Sequence, residues 1–406
     1  MNLIKKVETT TVSVPLKTDL SHSNGSHPGR FVITILKIES ESGNVGYGEG
    51  GGGGFSLKPL IDGLAPLLIG EDADNIRRLK WKVSSPITST YYNQLLPQAW
   101  FPIETALLDL KGKNYGISFN NLLGGSYRES IDTAAYFFTN SRDKGIETEI
   151  KEASDLVKSG GFKVLKLKGG VFNPKHDADF VKLISEALPN VKIRIDPNGA
   201  WNLASSLYVA KKCAENSVNI EYFEDPVWSM EGMKSFHDRS GFVLATNTVV
   251  VRSEEIVPAF MNHAVDVVLG DPHWWYGNMG YLDLSATLSS VGMELGMHSP
   301  GELGIGLAAM LHTSSATPNI SYPIDTHYVH LADDIVKNKF RFVNGDLKVP
   351  SGNGLGIKID ENKIDRYSEM YKELGDYTYH TNSYRKDFIP TIPDRNYAKC
   401  QCHPDS

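Results

Sequence analysis

The sequence predicts an α/β protein in which a closed barrel of parallel strands follows a separate N-terminal segment. Three observations carry that expectation. A chain of 406 residues is long for a single ordinary core and suits a barrel plus a second domain. Beyond Asp132, short apolar strands alternate with amphipathic helices, the pattern that builds a parallel sheet. Each of those strands also stops at a residue able to do chemistry.

The elements read in order as follows. Lys5 to Val14 and Phe31 to Ser40 are rich in Val, Ile and Thr and read as strands, with a turn at Glu41 to Asn44. Between them, Ser21 to Arg30 reads as a polar loop carrying groups that bind oxygen-rich ligands. Glu49 precedes five glycines, Gly50 to Gly54, without the Lys-Ser or Lys-Thr of a phosphate-binding loop. They read as a tight backbone bend or as a turn passing close to a ligand. Helical periodicity dominates Leu57 to Leu123. Strands then follow at Val164–Leu167, Lys192–Ile195, Ile220–Phe223, Val243–Ala245 and Val265–Leu269, with helices such as Ala178–Leu188 and Ala204–Ala214 between them. Past Val349 the chain reads as irregular and is expected to rejoin the first domain. The expected domains are 1–132, 133–349 and the returning segment 350–406.

Composition narrows the function classes. A net charge of −7 lacks the basic surplus of a nucleic-acid binder, so no nucleic acid is expected as a partner. It still permits an anionic ligand, because the local field of a metal or of lysines overrides the average. No apolar run reaches the roughly 18 residues of a membrane span, and Met1 to Pro15 does not read as a signal peptide, so no membrane partner is expected. Cysteine is confined to Cys213, Cys400 and Cys402, which fits a reducing cytoplasm. The Cys400-Gln401-Cys402 pair reads as incidental thiols rather than as a zinc site.

The strand ends carry the chemistry. Lys166 and Lys168 share a strand face and point into the barrel, where two neighbouring ammonium groups are expected to depress at least one pKa. The next three strands deliver Asp196, Glu224 and Asn247, spaced by 28 and 23 residues, about the length of one strand–helix unit. Two carboxylates and an amide suit a hard cation with positions left for water and substrate. Asp271 and His298, 27 residues apart, end the two following strands and can form a hydrogen-bonded dyad in which the histidine serves as acid or base. His273, His312 and His330 read as structural.

In order, Lys166-x-Lys168, Asp196, Glu224, Asn247, Asp271 and His298 resemble the enolase superfamily, in its mandelate racemase/muconate lactonizing-like branch. Sites of that superfamily are known to use a lysine or histidine base with magnesium. Asn247, the string Lys166-Leu-Lys-Gly-Gly, Asp196-Pro-Asn-Gly-Ala-Trp201 and Asp271-Pro-His273 resemble its glucarate dehydratase subgroup. The resemblance spans nearly the whole chain. It implies a modified (β/α)7β TIM-like barrel under an α+β capping domain made from both ends of the chain. It implies Mg²⁺ held by Asp196, Glu224 and Asn247. Lys168 and the His298–Asp271 dyad would face opposite sides of the substrate α-carbon, and Lys166 would stabilise the enediolate oxygen. Asn198, His27, Tyr136 and His327 would contact substrate, and Glu231 is the rival to Glu224 as a ligand.

The activity so implied is dehydration of a small-molecule sugar acid to a 2-keto-3-deoxy product, by a homo-oligomer as is common in the family. The same two bases could instead racemise or epimerise a hydroxy acid, and an inactive sugar-acid-binding barrel would lack a base or a ligand. The tail at Asn382 to Lys386 does not match the subgroup's diacid-binding arginine region, so diacid and monoacid substrates both stay open.

Overall fold

The computed structural model describes residues 2–84, 95–139 and 144–379, which leaves the Cys400/Cys402 pair and the Asn382 to Lys386 segment outside the described residues. Its N-terminal part is an antiparallel sheet of β1 (Ile4–Pro15), β4 (Arg30–Ser40) and β5 (Val45–Gly51). The Ser21 to Arg30 stretch, expected as a loop, instead contains a hairpin of β2 (Leu20–His22) and β3 (Gly25–His27). Ser23 and His27 are buried there with His22, because the hairpin is pressed between the barrel mouth and the C-terminal segment. Ser23 Oγ donates to the Pro197 carbonyl at 2.7 Å on the barrel side, and the Ser26 amide donates to the Tyr379 carbonyl at 2.8 Å on the other. The helices α1 (Lys58–Leu64), α2 (Ile76–Ser84), α3 (Leu95–Tyr115) and α4 (Phe119–Leu122) follow.

A short strand β6 (Ser130–Asp132) leads into seven strand–helix units: β7 (Ala135–Phe138), α5 (Ile146–Gly160), β8 (Val164–Lys168), α6 (Pro174–Ala187), β9 (Lys192–Asp196), α7 (Leu203–Glu215), β10 (Ile220–Glu224), α8 (Met230–Ser240), β11 (Leu244–Thr246), α9 (Ser253–Met261), β12 (Val267–Gly270), α10 (Gly277–Val291), β13 (Glu294–Met297) and α11 (Gly304–Ala316). Local signals start and stop these helices. Asn173 and Asn202 accept from the amides of His176 and Ser205, capping α6 and α7, and Gly161 and Gly241 end α5 and α8 in the left-handed conformation. All of α11 is buried, which explains its apolar and small-residue composition on every face.

The strands stand in the order β7 to β13, all parallel. Residues 320–325 fill the eighth place. Ile320 bridges Leu295 of β13 and Ile324 bridges Thr133 beside β7. The Ser321 amide donates to Leu295 at 3.1 Å, and Ala134 donates to Ile324 at 3.0 Å. Seven units and a lone eighth segment thus bring the two edges of the sheet together, as the resemblance implies. Expected strand positions agree closely, except that β7 escapes a reading by alternation. Its Ala-Tyr-Phe-Phe sequence is buried on both faces.

Just before Val349 the polypeptide pairs β14 (Asp346–Lys348) with β6, and beyond it, where irregular chain is expected, it forms a regular helix, α12 (Glu361–Leu374). Its buried Ile364 and Tyr367 face β1, and Arg30 Nη1 donates to the Gly375 carbonyl at 2.8 Å. No helix among the described residues is long and apolar enough to cross a membrane.

Two buried carboxylates join the N-terminal elements to the barrel helices. Glu49 on β5 accepts from the Leu303 amide at 2.6 Å and from Gly306, at the start of α11. Glu104 on α3 accepts from the amides of Asn278 and Met279, at the start of α10. Each satisfies orphan donors of a helix N-terminus. Burial nevertheless pushes the Glu49 carboxyl up to about 8, with its two amide donors opposing the shift. In the unfolded chain the same group ionises near the ordinary value of about 4.3. Between those values the folded state holds the extra proton, so the contribution is complete below the unfolded pKa and is lost as pH rises toward 8. The urea midpoint should therefore fall as pH rises across this window. Glu49→Gln, which cannot ionise, should flatten that fall; an unchanged slope would remove Glu49 as its source.

Candidate active site

The register of the ring sets out its interior in layers. Tyr136 stands beside Lys166, Lys166 beside Arg194, and Arg194 beside Tyr222. One layer nearer the strand ends, Phe138 stands beside Lys168 and Lys168 beside Asp196. Both lysines are fully or almost fully buried, as alternation along the strand requires. Asp196, Glu224 and Asn247 end β9, β10 and β11, forming one arc of the mouth. Diametrically across the ring lie β7 and the eighth segment, which carry Tyr136 and lead to His327. Lys168 on β8 and His298 after β13 flank the space between the two arcs.

The acid arc is tightly held. Lys168 Nζ donates to Asp196 and to Asn198 Oδ1 at 2.9 Å. Lys166 Nζ lies 2.6 Å from Glu224 Oε2 and 2.6 Å from Asp325 Oδ2. Asn247 Nδ2 donates to Glu224 Oε1 at 3.2 Å. Against the cost of burial, the Lys168 and Lys166 ammonium groups hold Asp196 below the ordinary carboxylate range. Burial and the adjacent Asp196 charge push Glu224 well above it. The expected depression of a lysine does not fall on Lys166. Despite burial, the charges of Asp325 and Glu224 raise its pKa well above the usual value, so it is a fixed ammonium.

Two buried carboxylates forced together, Asp196 and Glu224, with the Asn247 amide beside them, make a donor set that suits a hard divalent cation. No trio of His, Cys, Asp or Glu placed to hold a metal occurs among the described residues; the set here is two acids and an amide. Glu231 does not join it. It is exposed at the start of α8 and lines a separate groove with Lys234 and Asp238. Asn198 and Asp225, just beyond two of these strand ends, have φ of 52° and 41°, left-handed backbone that non-glycine residues adopt at a cost of about 1–3 kcal/mol.

Across the mouth, His298 Nδ1 lies 3.0 Å from Asp271 Oδ2. Asp271 also binds His273, through that residue's amide at 2.8 Å and its Nδ1 at 2.6 Å. Burial works to raise the Asp271 carboxyl, but His273 and then His298 hold it down at about 2. One carboxylate therefore orients two imidazoles. His273 is packed against Phe101 at a ring separation of 3.8 Å and keeps its structural reading. His298 faces a cavity of about 270 Å³ together with His27, Tyr136, Lys168, Asn198, Asn247 and His327. His312 lies elsewhere, bonded to the Leu355 carbonyl at 3.2 Å, and His330 binds the Tyr136 carbonyl at 2.6 Å.

Residues 149–363 match the family described as enolase C-terminal domain-like, and residues 5–124 match the mandelate racemase/muconate lactonizing enzyme N-terminal domain. The chain belongs to the mandelate racemase/muconate lactonizing branch of the enolase superfamily. A Streptomyces coelicolor protein named "Probable glucarate dehydratase" is 36% identical over 276 residues, taking in 64% of this chain and 63% of that protein. A chloromuconate cycloisomerase of Pseudomonas sp. strain P51 is 25% identical over 386 residues, covering 90% of this chain and 99% of its own length. Among solved structures, an enolase of Pseudomonas fluorescens Pf0-1 with bound magnesium, potassium and tartrate is 29% identical at a TM-score of 0.84, covering 92% of this chain and 93% of its own.

Within this enolase-superfamily framework, several residues in or beneath the mouth escape a reading by motif. Asp325 ends the eighth segment and binds both Lys166 and Arg194, whose Nη1 lies 3.2 Å away. Its signal is positional, an acid at the close of the last strand, two residues before His327. His22 at the end of β2 and Ser299 just after β13 are buried at the mouth, and Ser299 Oγ is 2.6 Å from His327 Nδ1. Gly51 to Gly53 also line the cavity, so the glycine run is a turn passing close to the site. At Gly52, φ is 111° and a Cβ would lie 2.3 Å from the Pro300 carbonyl, beside His298. Gly52→Ala should displace that loop and lower kcat/KM by about tenfold or more, measured on any substrate that turns over. An Ala variant with unchanged kcat/KM would show that the close approach is dispensable.

Proposed function

We propose that this chain is a Mg²⁺-dependent acid-sugar dehydratase of the glucarate dehydratase type. It would remove the proton α to a carboxylate and eliminate the β-hydroxyl to give a 2-keto-3-deoxy sugar acid. The observation that carries the reading is the opposition of Lys168 to the His298–Asp271 dyad, across a mouth whose third side is Asp196, Glu224 and Asn247. The S. coelicolor relative and the tartrate-bound neighbour, whose ligand is a hydroxylated acid, support it.

Asp196, Glu224 and Asn247 would hold the cation, which when bound supplies positive charge against the negative charge developing on the substrate carboxylate. Lys166, a fixed ammonium, adds a second charge from below and stabilises the enediolate oxygen. Lys168, as the free amine, takes the α-proton at Nζ and becomes the ammonium, positioned by the Asn198 oxygen. His298, oriented by Asp271, gives a proton to the departing hydroxyl, which leaves as water. The enol so formed tautomerises to the ketone. His27, Tyr136 and His327 face the cavity and would contact substrate hydroxyls.

A screen of acid sugars with Mg²⁺, read as semicarbazide-reactive product, tests the reading. Bases on both sides of one cavity equally suit racemisation or epimerisation. In deuterated buffer, exchange of the α-proton with no keto product would favour that second reading and sink the first.

A further inference from the structure

The arc opposite the acids, with the hairpin over it, presents hydrogen-bonding atoms that nothing among the described residues satisfies. His22 Nε2, Tyr136 Oη and His327 Nε2 are buried and have no hydrogen-bond partner among the described residues. All three residues line the cavity and are at least nine-tenths buried. Buried polar atoms are nearly always paired, so three orphans in one wall point to a missing ligand.

Their surroundings define its chemistry. The His22 ring stands edge-on to Phe138 at 5.0 Å and to His27 at 5.3 Å, and lies 6.4 Å from His327. His327 is fixed from behind by Ser299 Oγ on Nδ1, so its Nε2 is the atom left for a ligand. His27 is fixed likewise by the Tyr377 hydroxyl on its Nδ1. Burial first, and then nearby positive groups including Lys168, lower the pKa of His22 and His27, while burial and the neighbouring histidines do the same for His327. Burial among one another and beside Lys168 thus disfavours the charged form of these imidazoles. A neutral imidazole or phenol pairs well with a hydroxyl, as donor or acceptor, whereas a buried carboxylate asks for an ammonium, a guanidinium or several oriented amides.

We infer that His22, with Tyr136 and His327, forms a subsite that reads hydroxyl groups at the end of the substrate away from the metal-side carboxylate. The preferred substrate is then a polyhydroxy monoacid, an aldonate, rather than a diacid. The inference rests on the dehydratase reading for the placement of the reacting carboxylate on the Asp196–Asn247 side. His22 is a specificity-determining residue contributed by the hairpin.

The test is calorimetric binding to the full-length, Mg²⁺-loaded protein, using the five- and six-carbon aldonic acids, the matching aldaric acids and terminally deoxygenated aldonates. Wild type should bind at least one aldonate about tenfold or more tightly than its aldarate partner. His22→Phe keeps the ring and removes both nitrogens. It should cost that aldonate about tenfold while leaving the deoxy analogue unchanged, and His22→Gln should restore part of the loss. Thermal melting of both variants establishes that they fold; should the Phe variant fail to fold, the Gln variant and the deoxy analogue on wild type carry the comparison. Aldarates bound more tightly, or aldonate affinity indifferent to both substitutions, overturns the inference. Because binding is read without turnover, aldonate selectivity can stand in a protein that forms no keto product, which separates the failure of this inference from that of the dehydratase reading.

Discussion

Lys168→Ala should lower kcat by about 10²–10⁴-fold on the true substrate, the range a positioned general base contributes. The same substitution should abolish α-proton exchange in deuterated buffer for the epimer whose proton faces β8. His298→Asn should behave differently. It keeps Lys168 and its Asn198 contact, so exchange from that epimer continues, while keto product falls by a comparable factor because the departing hydroxyl finds no acid. Proton exchange by NMR and keto product by semicarbazide therefore separate the two roles. Full turnover in both variants would refute the assignment. Loss of exchange in His298→Asn, with exchange intact in Lys168→Ala, would reverse the roles of the two bases.

The second large effect is on stability. Asp325→Ala removes the carboxylate that Lys166 and Arg194 share inside the ring. Both cations are buried, and breaking a buried pair by deleting one partner costs about 3–5 kcal/mol. Arg194 keeps Glu221, at 2.7 Å, and the Pro323 carbonyl, at 2.9 Å, so the loss should lie toward the lower end. Urea unfolding at neutral pH measures it. Asp325→Asn, which retains an acceptor for one cation, should cost less than the alanine. An alanine variant within about 0.5 kcal/mol of wild type would mean that the pair is incidental.

The strand ends were legible because barrel strands alternate strictly: once Lys166 and Lys168 share a face, Asp196, Glu224, Asn247, Asp271 and His298 fall at matching ends of successive units. What alternation could not reveal was structure without it. β7 is apolar throughout, and the eighth segment pairs through single bridges, so Asp325 had no periodic flank to mark it. The hairpin was hidden for another reason. Ser, His, Asn and Gly usually signal exposed turns, and here that polar segment is buried by contacts from residues hundreds of positions away, Pro197 and Tyr379. The lysine electrostatics were equally non-local. Two neighbouring ammonium groups suggested mutual depression, but Asp325 and Glu224 reversed the sign at Lys166.

Glu49 and Glu104 also bear on how a ligand gets in. Each pins an N-terminal element to the head of a different barrel helix, and releasing either pin would strand amides in a dry interior. The hairpin meets the barrel through the Ser23 hydroxyl on the Pro197 carbonyl and through ring contacts of His22 with Phe138 and of His27 with His327. A ligand that enters past this edge must part those ring contacts as well as the Ser23 bond.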